Sequence, residues 1–133
     1  MTYIFKTKTP IYKTTTAIVF YTDSQDARLT IRGDEDLKDL DEMLEDIDGG
    51  PAFVLTSPGV NAVIAFFRLD AIDEDRFIFI HEALHMAFGT IRGIGTEFDE
   101  STEEHIAYLQ EHYIETLEEF YAEAKASEDK FGL

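Results

Sequence analysis

The 133-residue chain contains no cysteine. This excludes disulfides and any thiolate metal site, so a bound metal has to be held by histidine or carboxylate, and it fits a reducing compartment. Basic residues are scarce: 11 Lys and Arg stand against 28 Asp and Glu, a formal net charge of −17 at pH 7. Phosphate backbones are bound mainly through Lys and Arg, so nucleic acid is not an expected partner. The few basic residues lean toward the N-terminal third, and the last third is strongly acidic. No stretch approaches the roughly 20 apolar residues that span a bilayer, and the opening "MTYIFKTKTP" lacks the long apolar segment of a signal peptide. The expectation is a soluble cytoplasmic protein with no membrane contact. No repeat, low-complexity block or Ser/Gly linker divides the chain, so residues 1–133 read as one domain, with the oligomeric state left open.

Strand-like and helix-like segments both occur. "TYIFKTK", "TTTAIVFYT" and "ARLTIRG" are rich in β-branched and aromatic residues and are separated by Pro10 and by "DSQD", which predicts three strands. "DEDLKDLDEMLEDIDGG" carries Leu37, Leu40, Met43 or Leu44, and Ile47 at helical spacing and stops at Gly49-Gly50, which predicts a short amphipathic helix. "PAFVLTS" and "NAVIAFFRL" flank the turn signal "PGV" and read as a hairpin whose second strand is central. From "DAIDEDRF" onward the period becomes helical. Phe77, Ile80, Leu84, Phe88 and Ile91 form one face, Asp73 to Asp75 supply acids at the start, and Gly93 with Gly95 ends the helix. Ser101 or Thr102 is placed to cap a last helix with Ile106, Leu109, Tyr113, Leu117, Phe120 and Ala124 as its core stripe, before a frayed "ASEDKFGL".

The first of these two helices carries "FIHEALHMAFGTIRGI". Residues four apart lie one turn above each other, so His81 and His85 can aim two imidazoles at one point. Glu82 lies about 100° round the helix, within reach of a water on a metal held by the two histidines. This is the arrangement of an H-E-x-x-H hydrolase helix, in which zinc makes a water acidic and the carboxylate takes its proton. The helix is apolar enough to be buried, where two unpartnered imidazoles would be costly. A third protein ligand is sought downstream, in "STEEHIAYL", where Glu103 and Glu104 open the last helix; His105 and His112 are alternatives that read more simply as surface histidines. Tyr108 and Tyr113 are oxyanion-stabilising candidates only if either faces the site.

"HEALHMAFGTIRGIG", a short acidic loop and "TEEHIAYL" together resemble the H-E-x-x-H … E-x-x-A-Y pattern of small zincin-like, gluzincin-type metallopeptidases found among predicted phage and prophage proteins. The resemblance covers roughly the last 55 residues. It implies an α+β zincin-like fold with a small sheet packed on the motif helix, a zinc ion (Zn2+) held by His81, His85 and Glu104, and Glu82 as general base. With the strands above, about five mostly antiparallel strands and three helices are expected. In such folds the strand before the motif helix often takes the substrate as an added strand, and "NAVIAFFRL" would fill that place. A peptide or protein substrate is the expectation, in the host cytoplasm if the chain is phage-encoded.

Two rivals stand beside this reading. One keeps the fold and makes the metal a structural staple in a small acidic binding protein, for which a closed fourth coordination position would speak. The other is a non-enzymatic mimic of nucleic acid, for which carboxylates in two rows at phosphate-like spacing would speak.

Overall fold

The computed structural model describes residues 1–40, 47, 50–56, 60–96 and 99–130. Four strands form one mixed sheet in the order β1-β2-β4-β3: β1 (Thr2–Lys8), β2 (Thr15–Tyr21), β3 (Ala52–Thr56) and β4 (Ala62–Arg68). β1 pairs antiparallel with β2, β3 antiparallel with β4, and the two hairpins join through a parallel β2–β4 ladder running from Thr15↔Ala62 to Tyr21↔Arg68. The class is therefore α+β, as expected, with one strand fewer and one parallel pairing in the middle. β4 is central, as its run of apolar residues implies.

The missing strand is a helix. "ARLTIRG" belongs to α1 (Ser24–Arg32), and the preceding "DSQD" is its start rather than a turn. Asp23 caps it by accepting from the Gln25 amide, and Ala27 and Ile31, four apart, go to the core. Leu29, read from the alternation as part of a strand, is 65% exposed. Here the cap and a single buried face outweigh the strand preference of the β-branched residues. The helix expected over 34–50 falls mostly outside the described residues; its first part, 34–40, forms turns that bring Leu37 to the core.

The sheet divides two cores. Ala17, Val19, Tyr21 and Phe66 face α1, Leu37 and Ile47. Ile18, Phe20, Val63, Ala65 and Phe67 face two long helices, α3 (Phe77–Gly93) and α4 (Glu103–Lys130), which follow the short α2 (Leu69–Glu74). Asp75 starts α3 by accepting from the Phe77 amide, while Asp73 belongs to α2. Asp99 caps a 3-10 turn, Glu100–Thr102, that leads into α4: it accepts from the Ser101 and Thr102 amides while its own amide donates to Thr102 Oγ1, so the expected capping residues Ser101 and Thr102 lie inside that turn, directly before Glu103. The core stripe of α4 matches the expectation except that Tyr121 takes the fully inward place beside a partly buried Phe120, and the helix runs on through residues expected to fray.

α3 is rotated from its expected face. Phe79, Ala83, Met86, Ala87 and Thr90 are buried, whereas Phe77, Ile80 and Leu84 are exposed. Apolar residues surround this helix, so periodicity has no single solution, and the sheet selects the face with Phe79, which meets Phe20 and Phe67 edge-on. Two glycines then set how close the β3–β4 hairpin comes. A Cβ on Gly89 would lie 2.2 Å from Thr56 Cγ2, and one on Gly93 would lie 2.6 Å from the Val60 carbonyl oxygen. Backbone cannot give way as a flexible side chain can. Gly93→Ala is therefore expected to lower stability by about 1–2 kcal/mol, an overpacking loss that exceeds the helix-propensity gain of up to about 1 kcal/mol. Thermal melting checks this, and an unchanged or higher midpoint would show that the hairpin does not press on the helix.

Candidate functional site

The rotation of α3 reverses one expectation about the motif. His81 and His85 are exposed, and Glu82 is the buried polar group, 9% accessible. At about 100° per residue, Glu82, Gly89 and Gly93 share the side of α3 that meets the β3–β4 hairpin, while His81 and His85 lie outside it. The glycines that admit the hairpin thereby place a strand over Glu82. The burial cost expected for the imidazoles falls on the carboxylate instead.

The two imidazole Nε2 atoms are 3.2 Å apart, with ring centroids at 4.9 Å and planes at 69°. Two ligands each about 2.0–2.1 Å from zinc at a near-tetrahedral angle stand about 3.3 Å apart, so the pair has the bite of a zinc clamp. His81 Nε2 lies 3.9 Å from Glu82 Oε1. Burial raises the Glu82 carboxyl above its ordinary range, and the positive charge available on His81 and His85 partly offsets this. Glu82 and His85 open into a hollow of about 340 Å³ together with Ala52, Val54 and Thr56 of β3 and with Arg92 in the last turn of α3.

The strand over the site is β3, and this corrects the expectation for "NAVIAFFRL". β4 is paired on both sides and has no free edge; among the described residues, β3 is paired only to β4. The hairpin was legible in the sequence, but which of its strands lies outermost depends on the distant pairing of β2.

Glu104 stands elsewhere. It lines a separate hollow with Ile11, Tyr12, His105 and Tyr108, and Glu103 beside it is exposed. Among the described residues, no third His, Asp or Glu joins the pair to make a three-ligand group. His105 is hydrogen-bonded through Nδ1 to the Tyr12 hydroxyl, and His112 stacks on Tyr108. Neither tyrosine considered for an oxyanion lines the hollow of Glu82. The Tyr113 hydroxyl is fully buried between Thr90 Oγ1 at 2.6 Å and Thr9 Oγ1 at 2.8 Å, tying α3 and α4 to the loop after β1. Sequence reasoning missed Arg92; its place eleven residues after His81, close to three full helical turns, was the available signal.

No helix among the described residues is long and apolar enough to cross a membrane. No family model matches the chain, and neither a curated protein nor a solved structure similar to it was found.

Proposed function

We propose that the protein is a zinc-dependent hydrolase acting on a peptide or other amide bond, with His81 and His85 as metal ligands and Glu82 as general base. The observation that carries this reading is the 3.2 Å separation of the two Nε2 atoms beside a buried carboxylate that, with His85, lines a hollow walled by the edge strand β3. Zinc, when bound, makes a water acidic and polarises the scissile carbonyl. Glu82 takes the proton of that water and hands it to the leaving nitrogen, a task suited to a carboxyl whose affinity for protons burial has raised. β3, the edge strand of the sheet among the described residues, holds an extended substrate by backbone hydrogen bonds.

A structural staple is less well supported, because His85 borders an open hollow rather than a closed ligand shell. The resemblance supplies Glu104 as the third ligand. Matched zinc titrations test it: weakening of at least about tenfold in Glu104→Ala, with Glu103→Ala unchanged, puts Glu104 on the metal, and equal affinities leave the metal on the imidazole pair.

The protein is expected to bind about one zinc per chain, and His81→Ala or His85→Ala to weaken binding about 100-fold or more. Ligand imidazoles are neutral, so affinity should fall as pH drops below roughly 6. Elemental analysis of tag-free protein and zinc titrations at neutral and acidic pH check both. Protein that cannot be loaded with zinc, or equal affinity in the histidine variants, removes the proposal.

A further inference from the structure

We infer that Arg92 is a substrate-binding residue that gives the hollow a preference for a carboxylate about three residues from the bond at the metal. This rests on the hydrolase reading of the same site and adds the substrate class.

Arg92 shares a face with the imidazole pair. At 100° per residue, it lies about 20° from both His81 and His85, and about 10 Å beyond His85 along the axis at 1.5 Å per residue. It lines the same hollow as Glu82, His85 and the inward residues of β3. β3 runs in the direction of α3. Ala52 pairs with Phe67, which packs on Phe79 near the start of the helix, and Thr56 touches Gly89 near its end. A peptide laid along the β3 edge therefore passes from the histidines toward the guanidinium. At about 3.3 Å per extended residue, it reaches Arg92 in about three residues.

The charge of the chain makes Arg92 stand out. Arg68 pairs with Asp70 and Arg76 with Glu118, and Arg28 and Arg32 also have polar or electrostatic partners. The guanidinium of Arg92 is exposed and makes no ion pair or hydrogen bond with any described residue, in a chain with 28 carboxylates. A guanidinium left open in a hollow presents a planar fork that matches a carboxylate in two hydrogen bonds. The helix dipole alone favours a cation in this last turn, but it does not require one on the face of the histidines.

Two sources supply the same chemistry: an Asp or Glu side chain, or the free C-terminal carboxylate of a peptide. Fluorophore-labelled alanine peptides carrying one Asp or one Asn, each with a free or an amidated C-terminus, separate them. Binding is measured on the full-length protein, metal-free and zinc-loaded, and cleavage on the zinc-loaded protein. The wild type is expected to bind carboxylate peptides at least tenfold more tightly than their neutral counterparts. Arg92→Ala should abolish that ratio, Arg92→Glu should reverse it toward Lys-containing peptides, and Arg92→Lys should retain part of it. Preference confined to Asp peptides assigns a side-chain subsite; preference confined to free termini assigns a carboxypeptidase-like one. Equal ratios in wild type and Arg92→Ala overturn the inference even where cleavage occurs. An Arg92-dependent ratio without cleavage by any zinc-loaded sample keeps the carboxylate site and removes the hydrolase reading.

Discussion

Glu82→Gln is expected to keep zinc and lose hydrolysis by about 10²–10⁴-fold, the size of a general-base contribution. The amide preserves the shape that fills the space between α3 and β3 and removes the proton acceptor. Zinc affinity should fall far less than in the histidine variants, since Glu82 lies beside the imidazole pair rather than in it. Loss of metal would make Glu82 a ligand; retained activity on a validated substrate would remove it from the chemistry. The same variant has a signature without substrate. The folded-state pKa of Glu82 is raised, so its contribution to stability is fully present below the unfolded value near 4.3 and is lost as pH rises through the folded one. Glutamine does not ionise. Metal-free Glu82→Gln should therefore melt higher than metal-free wild type at pH 7–8, with the difference shrinking below about pH 4. A difference that grows toward acid would mean that the carboxylate is stabilised in place rather than strained there.

Phe79→Ala is expected to have the largest effect on stability, a loss of about 3–5 kcal/mol. Phe79 has no accessible surface, and its ring lies 5.2 Å from that of Phe67, 5.8 Å from Tyr121 and 6.2 Å from Phe20, with the Arg76 guanidinium 5.7 Å from its centroid. It joins the sheet, α3 and α4 at one point. Against a total stability of about 5–15 kcal/mol for a domain, the loss leaves the protein marginal at room temperature. Phe79→Leu should recover more than half of it. Urea unfolding with an unchanged slope measures both, and a loss under about 1 kcal/mol would mean that the three elements meet elsewhere.

Elements with one clear solution could be read from the sequence. β1, β2, the β3–β4 hairpin, the stripe of α4 and the His81–Glu82–His85 cluster each follow from a single periodicity or spacing. α1 could not, because "ARLTIRG" satisfies both alternation and an i, i+4 pair, and the choice is made by the Asp23 cap and by the room for Ala27 and Ile31 under the sheet. The face of α3 could not either: with Phe77, Ile78, Phe79 and Ile80 in succession, only the surroundings decide which points inward. That one rotation explains why the buried member of the motif is Glu82 and why Arg92 joins the site. The expectation for Glu104 rests on a pattern of residues, which does not report where the first turn of α4 lies relative to α3.

The ladder between β2 and β4 has a kinetic side. It pairs Thr15 with Ala62, whereas the β1–β2 hairpin closes between Lys8 and Thr15. By loop-closure entropy alone, the longer connection is disfavoured by about 1.7 kcal/mol relative to the shorter. Every residue lining the candidate hollow comes from positions 52–92, on the near side of that closure. The hollow is thus built from neighbours along the chain, and the β2–β4 ladder joins β1, β2 and α1 to the segment that contains its groups. Amide exchange would then separate two cooperative units, with the β2–β4 amides reporting the joining of the halves and those of α3 reporting the integrity of the site.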